Sequence, residues 1–186
     1  MGTIPTIATA TAGTVATAAY MNSIKAANDF WALTPRAYAY QSSSQTLSTS
    51  GTEYAVNFDA ELFDIVQSGD SPMHDTATTN SRVYIRTTGK YRITSQITFS
   101  TNSTGFRQAR VRMNAAGNPV GGTELGLSLQ DAVAGNPSSV PVLVPIYQFT
   151  AGDYVEVFAV QTSGGSLGLN VSSPGRTYLA VELVGA

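Results

Sequence analysis

The chain has 186 residues, enough for one ordinary domain with an appendage and a core that needs no staples. It has no Cys, which excludes a disulfide framework, a thiol nucleophile and a Cys-based zinc site; charged residues make up 12%, about half the usual share of roughly 25%. The net charge of −2 gives no general attraction to phosphate backbones, and no stretch is long and apolar enough to span a bilayer, so neither nucleic acid nor membrane is an expected partner.

Residues 1–16 are Thr, Ala, Ile and Pro with almost no charge, too plain for a packed unit and too apolar for a solvated tail. They carry no positive region before an apolar stretch, so a secretory signal is not expected. This reads as an arm that lies on something. From Thr17 the pattern becomes helical: Thr17 caps, Pro35 ends, and Tyr20, Ile24, Ala27 and Trp31 share one face. So short a helix is marginal alone, so its stripe needs a partner. Residues 1–35 are therefore expected to anchor the chain, with Tyr20, Ile24 and Trp31 as the docking side chains, either to a larger body or beneath the chain's own domain.

After Pro35 the period changes to that of strands, expected at 36–41, 53–58, 82–85, 90–100, 106–114, 124–130, 140–150, 154–162, 166–171 and 176–184. Gly-bearing turns separate them, among them Gly51, Gly89, Gly105, Gly152 and Gly164 with Gly165. About ten short strands at regular spacing specify an all-β, antiparallel jelly-roll sandwich over 36–186. Two stretches share a phrase at an offset of 63 residues, TTGKYRITSQITFS from 87 and TAGDYVEVFAVQTS from 150. Their flanks do not match at that offset, so the phrase marks two similar corners and not a duplicated unit.

In an ordinary sandwich each strand has one dry and one wet face. Residues 106–114 fit, with Arg107, Ala109, Val111 and Met113 inward and Gln108, Arg110 and Arg112 outward. Three strands do not. Tyr38 and Tyr40 oppose Ala37 and Ala39; Tyr154 and Phe158 oppose Val155 and Val157; Tyr178 and Ala180 oppose Leu179 and Val181. Aromatic and Ala side chains where water should be make a candidate interface, so Tyr38, Tyr40, Tyr154, Phe158, Tyr178 and Ala180 are the expected contacts in a closed ring of identical copies. The alternative is that a loop or the helix covers these second faces.

No catalytic residue, metal or cofactor is expected. His74 is the only histidine, which excludes a two-His metal site within one chain; with Asp70 and Asp75 it forms either an acidic loop around a cation or a loop bonded to its own backbone. There is no GxSxG motif, and Asp59, Glu61 and Asp64 read as a solvated edge and not as a hydrolytic acid pair. Arg110 and Arg112, with Arg107 close by, offer a glycan or phosphate contact or, more simply, solvated edge charge.

Three segments, GKYRITSQITFS, AGDYVEVFAVQTSGG and RTYLAVELVG, resemble the signature strands of the jelly roll of the complement globular head and tumour necrosis factor family. That resemblance implies homotrimers built about aromatic-bearing faces. More narrowly, residues 55–93, with Phe58-Asp59, Met73-His74-Asp75 and Thr88-Gly89-Lys90-Tyr91, resemble short bacteriophage virion proteins carrying this fold, and residues 12–35 resemble the helix that precedes such domains. The collagen-like stalk of the complement proteins is missing, so activities tied to it are not implied. The resemblance implies a non-enzymatic structural protein on the outer surface of the virion. One form is a homotrimeric capsid decoration or head-fibre protein, its N-terminal arm bound to the major capsid protein or another virion protein. The other is a tail-tip minor protein that recognises a host-surface receptor or polysaccharide through residues near loops 101–107 or 164–169.

Overall fold

The computed structural model describes residues 2–13, 15–172 and 175–186. One helix, α1 (Ala18–Ala32), precedes twelve strands: β1 (Arg36–Tyr40), β2 (Thr46–Leu47), β3 (Glu53–Ala55), β4 (Ala60–Ile65), β5 (Arg82–Tyr84), β6 (Gly89–Phe99), β7 (Phe106–Met113), β8 (Thr123–Asp131), β9 (Ser138–Phe149), β10 (Tyr154–Gln161), β11 (Leu167–Gly168) and β12 (Tyr178–Gly185). Two antiparallel sheets carry the fold. The first runs β4-β1-β12-β6-β9; the second runs β3-β10-β7-β8, with β5 also paired to β10. The expected antiparallel sandwich is the observed one. No described helix is long and apolar enough to cross a membrane.

The alternation read from the sequence decides which side chains meet between the sheets. Ala37 and Ala39 of β1, Leu179, Val181 and Leu183 of β12, and Ile93 and Ile97 of β6 face Ala109 and Val111 of β7 and Val155, Val157 and Ala159 of β10. Each is at most 2% exposed, so any large-to-small change among them opens a cavity in a close-packed interior.

The two corners that share a phrase touch each other. Gly89 pairs with Phe149, and Thr88 Oγ1 accepts the Ala151 N–H at 2.9 Å, linking residues 63 apart. Their glycines serve different needs. Gly152 sits at φ 105°, which favours glycine, whereas a Cβ on Gly89 would meet Leu183 Cδ1 at 2.6 Å and Gly185 O at 2.7 Å.

Four elements depart from the sequence reading, the first being β2, which forms where no strand was expected. The strand expected over 53–58 stops at Ala55, after which the backbone bonds irregularly, Val56 N to Val157 O at 2.8 Å and Phe58 N to Asn80 O at 2.9 Å. The acidic segment expected as a solvated edge does lie at the edge of the first sheet, but as a strand, β4, paired to β1 with a register break at Tyr38 and Ala39. The strand expected over 166–171 shrinks to Leu167–Gly168.

The helix begins as expected, with Thr17 Oγ1 accepting the Tyr20 N–H at 3.2 Å. Its buried stripe differs by one position. Ala27 and Phe30 are buried, Phe30 joins the main core, and Trp31 stands 44% exposed with its ring edge-on to Phe30 at 5.2 Å. Gln67 fixes this end by donating from Nε2 to Leu33 O (2.6 Å), a carbonyl past the helix end, and to Phe30 O (3.3 Å), which also accepts the Leu33 N–H. The arm lies on its own chain: Gly2 N–H donates to Arg86 O at 3.2 Å, Ile4 packs against the core, and Ala8 N–H donates to Ser23 Oγ at 3.1 Å.

Candidate functional site: an aromatic sheet face and a polar cleft

Four of the six expected contact residues converge on the outer face of the first sheet. Antiparallel register sets Tyr40 opposite Tyr178 and Tyr38 opposite Ala180. Tyr38 stacks on Tyr178 with centroids 5.0 Å apart and rings 13° from parallel, and it touches Tyr40 at 6.5 Å and Phe63 of β4 at 6.0 Å. Ala180 leaves the space beside Tyr38 open, and Thr94 and Gln96 of β6 extend the face past β12. Two cations frame it, Arg176 over Tyr40 at 4.4 Å and Arg36 over Phe63 at 5.9 Å. Burial raises the Tyr38 hydroxyl above its ordinary value, Tyr178 adds to the rise and Arg176 opposes it.

At the other side of the same sheet, β9 ends the order with Leu143 60% and Ile146 62% exposed; β8, the edge of the second sheet, exposes Leu127 and Leu129. Pro141 and Pro145 interrupt β9, which removes donors from an edge that would otherwise template strand addition. The aromatic face thus runs on through the row Tyr38, Ala180, Thr94 and Leu143 to the β9 edge of the same sheet, while Leu127 and Leu129 lie on the outer side of the second sheet.

Tyr154 and Phe158 belong to β10 in the second sheet and do not join this face. Phe158 is 0% exposed within one chain, flanked by Ala55 on β3 and Arg110 on β7. Tyr154 packs under Arg82 at 4.5 Å and beside Tyr84 at 5.5 Å. The expected outward row of β7 is also closed over. Arg110 pairs with Glu53 and Glu124 at 3.5 Å each, Arg112 pairs with Glu124 at 3.3 Å, and Gln108 and Arg112 are buried. Burial pushes the Glu53 carboxyl up, against the pull of Arg110 and Arg112. This layer holds the chain together and offers no free guanidinium row to a ligand.

Arg107 is deeper still. Its side chain lies within the molecule, donating from Nη1 to Thr104 O and Phe106 O at 2.9 Å each and from Nη2 to Asn102 O at 2.9 Å, with Phe99 beneath it at 5.8 Å. It organises the 101–106 loop from inside. Of the residues expected to anchor the chain, Tyr20 and Ile24 are half-buried on the helix and Trp31 is exposed.

A cleft of about 610 Å³ opens between β4, the 71–80 segment and β5. His74 sits in its wall with its side chain fully buried. Nε2 faces Asn80 O at 3.1 Å, an oxygen that only accepts, so Nε2 is the donor there; Nδ1 faces Glu61 Oε1 at 2.8 Å. The His74 backbone N–H donates to Asp64 Oδ2 at 2.9 Å, and burial holds the Asp64 carboxyl above its usual range. Asp75 turns the other way, bonded by the Thr78 hydroxyl and by the N–H groups of Ala77 and Thr78, which pull it down to about 2. Asp59 is apart, accepting N–H bonds from Ser42 and Ser43. Among the described residues no group of three or more His, Asp or Glu is placed to hold a metal ion.

No family model matches the chain, and no curated protein does. Solved structures match the fold. Murine APRIL at pH 5.0 aligns with 13% identity over 81% of this chain and 99% of that one, with a TM-score of 0.58. Eiger TNF from S. frugiperda aligns with 15% identity over 82% of this chain and 93% of that one, at a TM-score of 0.56. At such identities the likeness is one of fold, a jelly roll of the tumour necrosis factor type.

Proposed function

We propose that this chain is a non-enzymatic structural protein of a bacteriophage virion, assembled as a homotrimer on the outer surface of the particle. The observation that carries the assembly is the face built from Tyr38, Tyr40, Phe63 and Tyr178: four aromatic rings on an outer sheet surface, framed by Arg36 and Arg176. Monomers seldom leave such a patch to water, and aromatic residues with Arg are what interface centres collect. Leu127 and Leu129 of β8, exposed on the outer side of the second sheet, supply a counter-surface on a different part of the molecule. A face that meets a different surface on its neighbour makes a head-to-tail contact, which forms a ring when the rotation closes.

Virion location is supported by the likeness of residues 12–35 and 55–93 to phage virion proteins. The exposed side of α1, with Trp31 and Met21, is the surface left for a shell partner such as the major capsid protein, since Phe30 is consumed by the chain's own core. In this reading the jelly roll faces outward and the helix inward, as in a capsid decoration or head-fibre protein. Electron microscopy of purified particles with a labelled antibody to this chain tests it: label over the capsid is expected, and particles free of label would reject it. Label confined to the tail tip would move the same trimer to the second reading, a receptor-binding module, which the polar cleft favours.

A further inference from the structure

The cleft between β4 and β5 has a built wall. One residue, His74, pins two carboxylates, Glu61 through its ring (2.8 Å) and Asp64 through its backbone N–H (2.9 Å), each by a single oxygen. The other Asp64 oxygen is shut from water and makes no well-formed hydrogen bond, although the Met73 N–H as well as that of His74 steadies the carboxylate. Around this wall stand the hydroxyls of Thr76, Thr79 and Tyr84 and the guanidinium of Arg86, which is tied to Pro72 O and lies over the Tyr84 ring at 4.8 Å. The volume, about 610 Å³, falls within the range of small-molecule sites.

The lining selects a chemical class. Even with Glu61 matched by His74, the carboxylates of Asp64 and Asp75 outnumber Arg86 and disfavour phosphate, sulfate and acidic sugars. A divalent cation lacks its ligand set among the described residues. An acyl chain would strand the many polar groups without partners. A ligand rich in neutral hydroxyls meets each demand: every hydroxyl both donates to a carboxylate and accepts from a guanidinium or threonine hydroxyl.

We propose that this cleft binds a short neutral oligosaccharide, with Glu61 and Asp64 as acceptors and Arg86 and Thr79 as donors. The site lies within one chain, so it holds whether or not the aromatic face assembles, and its failure would leave the assembly untouched. Saturation-transfer NMR on the intact protein with maltotriose, mannotriose and chitotriose, and phosphorus linewidths for inorganic phosphate, provide the test. At least one trisaccharide should receive saturation at millimolar concentration, and phosphate should stay sharp. Thr76→Trp, which fills the mouth from an exposed position, should weaken binding about tenfold or more with the unfolding midpoint unchanged, and Asp64→Asn should weaken it too. No transfer from any of the three sugars, transfer unaltered by Thr76→Trp, or broadening of phosphate in their place would overturn the proposal. Should Asp64→Asn fail to fold, the Thr76→Trp result decides.

Discussion

Ala180→Glu separates the fold from its assembly. Ala180 lies on the outer side of β12, opposite Tyr38 on one neighbouring strand and Thr94 on the other, at the centre of the aromatic face. Within a single chain the new carboxylate points into water, so the fold should change by no more than about 0.5 kcal/mol, as surface substitutions do. In a closed trimer the same carboxylate is desolvated at each of three contacts without a partner. At about 3 kcal/mol for an unpaired buried charge, each contact weakens by roughly two decades, and the trimer by roughly six. Sedimentation velocity across a concentration series, with circular dichroism as the control for folding, reads both. The variant is expected as a single folded chain where the unmodified protein is a trimer. A variant that sediments with the unmodified protein, at every concentration, would refute the placement of Ala180 at a contact.

Phe30→Ala should cost about 3–5 kcal/mol in denaturant unfolding, because the ring is 3% exposed and part of the main core, while the neighbouring Trp31→Ala should cost about 1 kcal/mol or less. Equal effects would mean that the helix is not docked through Phe30. Arg107→Met should remove the donors of Asn102, Thr104 and Phe106 carbonyls and lower stability by about 2–3 kcal/mol, with hydrogen-exchange protection lost first over residues 102–106. Protection unchanged in that loop would contradict its organising role. Asp75 titrates at about 2 in the folded chain, below its ordinary 3.8, so its contribution to stability is present above the ordinary value and is lost as pH falls through about 2. Carbon NMR of the Asp75 carboxyl should place its midpoint there, and Thr78→Val should move it upward; a midpoint near 3.8 in the unmodified chain would contradict the hydrogen-bonded turn.

How much of this was legible depended on whether the signal was local. Alternation in β1 and β12 placed Ala37, Ala39, Leu179 and Val181 inside and Tyr38, Tyr40 and Tyr178 outside, and those sides are as observed. Alternation names a face but not a sheet, so nothing local told that Tyr154 and Phe158 would sit on the opposite sheet, Tyr154 beneath Arg82 and Phe158 beside Arg110 on the neighbouring strand. β4 escaped notice because its exposed Leu62 and Phe63 are adjacent, which breaks the period, and a register break in β1 absorbs the mismatch. On α1, Phe30 and Trp31 lie one residue, and thus about 100°, apart, on either flank of the stripe through Ala27; only packing against the sandwich chooses between them. The cleft was invisible for a different reason. His74 and Glu61 are 13 residues apart, and Tyr84 and Arg86 come from another strand region, so the wall exists only after the chain has folded back.

The central claim is that the Tyr38, Tyr40 and Tyr178 face is covered by sister copies of the chain. Native mass spectrometry of the unmodified protein, confirmed by sedimentation equilibrium, measures that most directly. A species of three times the 19.5 kDa chain mass is expected, persisting on dilution into the micromolar range. A well-folded species of single-chain mass, even in concentrated solution, would contradict it.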